Sequence, residues 1–128
     1  MELKNVLLVD DDEGFNFLNR IVLSDNKVNC TVHEATHGRA ALDYLEKCPV
    51  CPEVILLDIN MPVMDGFEFL EQFEKYAKCA KNTHVFMLTS SGRDADKLKS
   101  LNNKHVKGFF NKPLDDSHIQ QILAAMAQ

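Results

Sequence analysis

Three short runs along the chain are apolar without alternation: Val6 to Val9, Val54 to Leu57 and Val85 to Leu88. Each ends on a polar residue that opens a loop, and such runs suit strands covered on both faces. Two further segments are mixed. Val28, Cys30 and Val32 alternate with Asn29, Thr31 and His33, and Val106-Lys107-Gly108-Phe109-Phe110 carries a charge and a glycine; both read as edge strands. Between them lie apolar residues at helical spacing: Phe15, Leu18 and Val22; Ala41, Leu42 and Leu45; Phe67, Leu70, Phe73 and Ala77; Ala95, Leu98 and Leu101; and Ile119, Ile122, Leu123 and Met126. Each stripe is expected to face the core. The alternation β-α, five times over, predicts an α/β fold: a parallel sheet wrapped on both faces by helices through right-handed crossovers. With the mixed strands at the edges, the strand order becomes 2-1-3-4-5.

The 128 residues suit a single domain spanning 1–128, at about 100 to 200 residues per domain. A folded chain of this mass exposes roughly 6,900 Å² against about 21,000 Å² unfolded, enough burial for a core without staples. Hydrophobic residues at 45% and charged residues at 26% exclude disorder and low complexity. No apolar run approaches the ~20 residues that span a bilayer. Met1 to Asn5 lack the features of a secretory signal, so a cytoplasmic location is expected, with all four cysteines reduced. Fourteen basic against nineteen acidic residues give a net charge of -5, which disfavours direct binding to a nucleic-acid backbone.

In an open α/β sheet, ligands bind beyond the carboxyl ends of the strands. The first strand delivers Asp10-Asp11-Asp12-Glu13 there, the third Asp58, the fourth Thr89-Ser90-Ser91 and the fifth Asn111-Lys112-Pro113. Two like charges 4 Å apart cost about 4 kcal/mol at an effective dielectric near 20, so a cation or protons must sit among these carboxylates. Oxygen ligands favour a hard divalent ion, and Mg²⁺ suits a site that keeps waters for a phosphate to replace. A lysine and a hydroxyl opposite it would clamp a phosphoryl group. Asp58, closest to both, becomes the candidate nucleophile and the site of an aspartyl phosphate. Asp12 reads instead as the N-cap of the first helix.

Val9-Asp10-Asp11, Leu57-Asp58-Ile59-Asn60-Met61-Pro62, Met64-Asp65-Gly66, Leu88-Thr89-Ser90 and Phe109-Phe110-Asn111-Lys112-Pro113 together resemble the receiver domain of two-component response regulators. The resemblance covers nearly the whole chain and implies a doubly wound, flavodoxin-like (βα)5 fold. It implies that Asp58 accepts a phosphoryl group from a histidine kinase or a histidine phosphotransfer protein. Asp10, Asp11, Asp58 and the backbone carbonyl of Asn60 would hold Mg²⁺, and Thr89 and Lys112 would bind the phosphoryl oxygens. In the family the threonine moves towards the phosphate, and the aromatic three residues before the lysine turns inward. That movement alters the surface of the last two helices and the strand between them, which signals to a protein effector and can support a homodimer. Phe109 occupies the aromatic position, without the hydroxyl that a tyrosine would bring. Lys112-Pro113 matches a peptide bond that is usually cis in the family. Asn60 and Ser91 match variable positions that tune the lifetime of the aspartyl phosphate. Pro62 and Gly66 shape the loop after the third strand through fixed and free φ respectively. Because the chain ends after the fifth helix, its output is expected to be a partner protein or a domain outside this sequence.

Two motifs compete. His33-Glu34-Ala35-Thr36-His37 spells H-E-x-x-H, the helical zinc-hydrolase motif, but it follows a β pattern and runs into Gly38. The two histidines are therefore expected at a strand end and in a turn. Cys48-Pro49-Val50-Cys51 is a C-x-x-C that could serve thiol redox chemistry. It lies between a helix and a buried strand, and free cysteines are expected there.

Overall fold

The computed structural model describes residues 3–75, 77–90 and 93–127, and for Ala77 the backbone alone. Met1, Glu2 and Ser91, and the side chain of Ala77, therefore lie outside the described residues. Among those described, the chain order is β1 (Asn5–Val9), α1 (Glu13–Asp25), β2 (Thr31–Ala35), α2 (Gly38–Lys47), β3 (Val54–Leu57), α3 (Gly66–Phe73), α4 (Ala77–Ala80), β4 (His84–Thr89), α5 (Asp94–Leu101), β5 (Val106–Asn111) and α6 (Asp116–Met126). The five strands are parallel in the order β2-β1-β3-β4-β5, as the apolar pattern predicts. This is the doubly wound α/β arrangement.

The strand pattern explains the two layers. Successive side chains point to opposite faces, so Leu7, Val9, Ile55, Leu57, Val85 and Met87 meet α2, α3 and α4 on one side. Val6, Leu8, Val54, Leu56, Phe86 and Leu88 meet α1 and α6 on the other. The exposed surface is 6834 Å², close to that expected from mass alone, so the core is of ordinary size. Side-chain caps start the helices. Asp12 accepts from the backbone N–H of Gly14 at 2.8 Å, and Asp65–Glu68 and Asp115–His118 form capping boxes on α3 and α6.

The structure corrects four expectations. The second strand begins at Thr31, not Val28: Lys27, with φ 59°, turns the chain, and the Val28 N–H bonds the Leu23 carbonyl at 3.1 Å, which ends α1. On α1 the buried positions are Asn16, Asn19 and Leu23, whereas Leu18 is exposed and Phe15 and Val22 are half-buried. Asn16 donates to the Asp10 carbonyl at 3.1 Å, and this bond turns the helix about its axis. The stripe Phe67 to Ala77 is not one helix, because α3 ends at Phe73 and the short α4 follows. On α5, Ala95, Leu98 and Leu101 face solvent while Ser100 is buried, because this short helix touches β5 rather than lying over the sheet.

The cysteines give a fifth correction. Cys51 and Cys79 form a disulfide with Cα atoms 5.4 Å apart, while Cys30 and Cys48 are free thiols. The fold lays α4 against the loop between α2 and β3, and no spacing motif announces that contact.

Val63 has φ 69° in the loop between β3 and α3, a left-handed conformation that a β-branched residue seldom adopts. Its side chain is fully exposed, so nothing is lost by replacing it. Val63→Asn should stabilise the fold by about 1 kcal/mol, read as a higher urea midpoint with an unchanged slope. A lower midpoint would refute the strain at this position.

Candidate functional site

The ladder fixes the backbone where each strand ends. The N–H of Asp10 bonds the Ala35 carbonyl at 3.1 Å, that of Asp58 the Val9 carbonyl at 2.9 Å, and that of Lys112 the Thr89 carbonyl at 2.8 Å. Asp10, Asp58, Thr89 and Lys112 are thereby brought together at the carboxyl ends of β1, β3, β4 and β5. Asp10, Asp58 and Thr89 are 3%, 5% and 0% exposed, so charge is held out of water here. Lys112 Nζ lies 2.7 Å from Asp10 Oδ2 and 3.6 Å from Asp58 Oδ2. Asp11 is exposed, yet it can place a carboxylate oxygen so that one oxygen from each of Asp10, Asp11 and Asp58 lies within 4.8 Å of the others.

One lysine does not settle two buried carboxylates. Burial, and then the neighbouring Asp10 charge, push the Asp58 carboxyl up to about 6, against the lowering effects of Lys112 and of the Asn60 N–H, which donates to Asp58 Oδ1 at 3.3 Å. Burial also raises Asp10, although Lys112 and the N–H of Asp12 oppose it. Such a donor set fits a hard divalent cation. Asp10, Asp11 and Asp58 can offer carboxylate oxygens, and Asn60 lies beside them to offer its carbonyl.

Around this centre, the Lys112–Pro113 bond is cis. Pro62 is exposed in the loop that leads to α3. Gly66 serves by close approach, a correction to the free φ expected of it: a Cβ there would lie 2.7 Å from the Asp58 carbonyl oxygen and 2.9 Å from Ile59 Cα. Its N–H bonds the Ile59 carbonyl at 2.8 Å, which draws α3 up to the strand end. Phe109 is half-buried, opposite Met87 in the ladder and on the same face of the sheet as Thr89. Two contributors escaped the sequence reading. The Phe15 ring lies 4.2 Å from Lys112 Nζ, and Asn16 holds the Asp10 carbonyl. A phenylalanine at helical spacing reads as core, and only the folded chain shows the cation over it.

The competing motifs do not assemble as such. His33 lies on β2 with its ring tilted against that of Tyr44, Glu34 pairs with Arg20 at 2.6 Å, and His37 caps α2 by accepting from the Ala40 N–H at 3.1 Å. Consecutive strand residues face opposite ways, so His33 and Glu34 cannot share a zinc ion with His37 as a helix would let them. The pair Cys48–Cys51 is overturned as well, since Cys51 is bonded to Cys79.

The sequence profile of the response regulator receiver domain matches residues 6–124. The chain belongs to this family. It is 28% identical over 121 residues to the chemotaxis protein CheY of Halobacterium salinarum, covering 94% of each. It is 29% identical over 118 residues to the sensor histidine kinase CheAY of Helicobacter pylori, covering 92% of this chain but 14% of that protein. The crystal structure of a two-component response regulator from Cytophaga hutchinsonii superposes with a TM-score of 0.90 at 28% identity, over 100% of both chains. The receiver fold and its strand order are thus shared along the entire chain, and phosphorylation with signalling to a partner is typical of receiver domains.

The buried Asp58 of this receiver domain leaves a mark on stability. In metal-free buffer its raised pKa means that its contribution is fully present below the ordinary carboxylate value of 3.8 and is lost as pH rises through about 6. Asp58→Asn never charges. It should therefore be more stable than the wild type by about 1–3 kcal/mol near neutral pH, with the gain gone below about pH 4. Urea unfolding at the two pH values reads this, and an equal gain at both would refute the buried charge as its cause.

Proposed function

We propose that the chain is a single receiver domain, residues 1–128, whose Asp58 accepts a phosphoryl group from a phosphohistidine of a histidine kinase or a histidine phosphotransfer protein. The observation that carries this reading is the buried cluster of Asp58, Asp10 and Lys112 at adjacent strand ends. In the transfer, a carboxylate oxygen of Asp58 forms the new P–O bond as the P–N bond to the imidazole breaks, and the imidazole nitrogen leaves with the electron pair. Lys112 and the Thr89 hydroxyl would bind the phosphoryl oxygens. Asp10, Asp11, Asp58 and the Asn60 carbonyl would hold Mg²⁺, whose charge, when it is bound, offsets that of the transferring group. Asn60 and Ser91 would set the lifetime of the product, and Gly66, Pro62 and Pro113 shape the loops that hold the site.

Signalling then falls to Thr89 and Phe109. Thr89 moving towards the phosphoryl group would vacate space on the face where Phe109 lies, and the surface of α5, β5 and α6 would change. That surface carries Leu98 and Leu101, which are 67% and 47% exposed. It suits a downstream protein effector or a second copy of the chain. A net charge of -5 agrees with a protein that works through protein contacts in the cytoplasm, and no helix among the described residues is long and apolar enough to cross a membrane.

Intact mass after incubation with acetyl phosphate tests the chemistry. The wild type should gain one phosphoryl group, about 80 Da, only when Mg²⁺ is present, and Asp58→Asn should gain none. A gain that survives in Asp58→Asn would overturn the assignment of the acceptor. Lys112→Ala should leave Mg²⁺ affinity within a few-fold of the wild type yet uncouple phosphorylation from the switch. Amide chemical shifts of α5, β5 and α6 report the difference, and a full response in Lys112→Ala would remove that residue from the switch.

A further inference from the structure

At the opposite end of the sheet from Asp58, three sulfur atoms meet. Cys48 ends α2, Cys51 lies in the loop before β3, and Cys79 lies in α4, before β4. The four residues of β3 rise about 3.3 Å each, so this cluster stands roughly 13 Å or more from the carboxylates. Cys51 and Cys79 are joined, and the free thiol of Cys48 sits with its Sγ 4.0 Å from Cys79 Sγ. All three Sγ atoms fall within 4.8 Å of one another. Exposure differs sharply among them: Cys48 and Cys79 are 3% and 0% exposed, whereas Cys51 is half-buried. Cys48 Sγ has the Leu45 carbonyl oxygen at 3.4 Å, and the Lys78 ammonium donates to the carbonyl oxygen of Cys48 itself, which places a cation at the edge of the cluster. The 4.0 Å approach of a free thiol to a bonded sulfur is the arrangement that disulfide exchange starts from.

We propose that Cys48, Cys51 and Cys79 form a thiol–disulfide exchange site, in which Cys79 is the shared partner and Cys51 is the thiol presented to solvent. A static staple needs two cysteines, and a chain with a core of ordinary size does not depend on one. The third thiol gives the bond somewhere to go. Cys48 loses its proton, its side chain rotates to bring Sγ into line with the Cys51–Cys79 bond, its thiolate forms a bond to Cys79 Sγ, and the Cys51–Cys79 bond breaks. Cys51 leaves as a thiolate and takes up a proton, so no net oxidant or reductant is consumed. The freed Cys51 then reacts with a low-molecular-mass disulfide of the glutathione class: the mixed disulfide forms on Cys51, and one equivalent of the small thiol departs. Cys79 stays oxidised throughout.

The test uses the full chain and a buffer of reduced and oxidised glutathione. After an acid quench, free thiols are blocked with N-ethylmaleimide and the protein is digested with trypsin without reduction. Cys48 and Cys51 share the peptide that follows Lys47, while Cys79 opens the peptide that follows Lys78, so fragmentation between Cys48 and Cys51 tells the linkages apart. Wild-type protein should yield both Cys51–Cys79 and Cys48–Cys79, with glutathione on Cys51. Cys51→Ser should form Cys48–Cys79, and Cys48→Ser should keep Cys51–Cys79 and lose most of the glutathione adduct. Exclusive Cys51–Cys79 linkage in the wild type, with Cys48 blocked in every molecule, would overturn the proposal whether or not the variants fold. So would one equivalent of Zn²⁺ retained by the reduced protein through gel filtration and released by thiol blocking, which would make the cluster a metal centre.

Discussion

Two buried carboxylates facing one lysine are the interaction on which the rest of this molecule turns. Asp10 and Asp58 lie almost wholly out of water, and at an effective dielectric near 20 their repulsion at contact distance is about 4 kcal/mol. Lys112, at 2.7 Å and 3.6 Å from them, offsets part of that cost and leaves the Asp58 carboxyl raised to about 6. The site is therefore held in a state that a further positive charge relieves. A fold tolerates such a centre only if its scaffold is stable without it, and the scaffold here is four consecutive sheet neighbours whose ladders continue into the site residues.

The same economy explains where the apolar residues lie. Buried on both faces, β1, β3 and β4 carry almost unbroken Val, Leu, Ile, Phe and Met, with polar Asn5 and His84 only at the amino ends of β1 and β4 and the charged and hydroxyl groups of the site at the carboxyl ends. The apolar length of the strands lies between the end of the sheet that bears the carboxylates and the end that bears the sulfur cluster, so the two are separate chemical regions.

Much of this was readable along the chain. The three apolar runs, the two mixed ones and the polar residues that follow them give the strand order and bring Asp10, Asp58, Thr89 and Lys112 to one edge. The helices were less legible. On α1, Phe15, Phe17, Leu18, Ile21, Val22 and Leu23 are all apolar and cover most of the helix circumference, so periodicity could not say which face is buried. The Asp12 cap and the bond from Asn16 to Asp10 decide it, and they bury two asparagines while exposing Phe17, Leu18 and Ile21. On α5, an amphipathic spacing of Ala95, Leu98 and Leu101 read as core but marks a solvent-facing stripe, because spacing records that a face is apolar and not what covers it.

By itself, then, the sequence determined the features that arise from short-range pattern: which runs are strands, which are central, where the first helix starts at Asp12, and which chemistry leaves each strand. Tertiary structure alone decided the features that depend on residues far apart in the chain meeting in space. Cys79 meets Cys51 across 28 positions, the ring of Phe15 meets the ammonium of Lys112, and Gly66 is required by the backbone of Asp58 rather than by its own φ. Local pattern is set by the two periodicities of the backbone, whereas such contacts are set by how the layers pack, and no window along the chain contains that information.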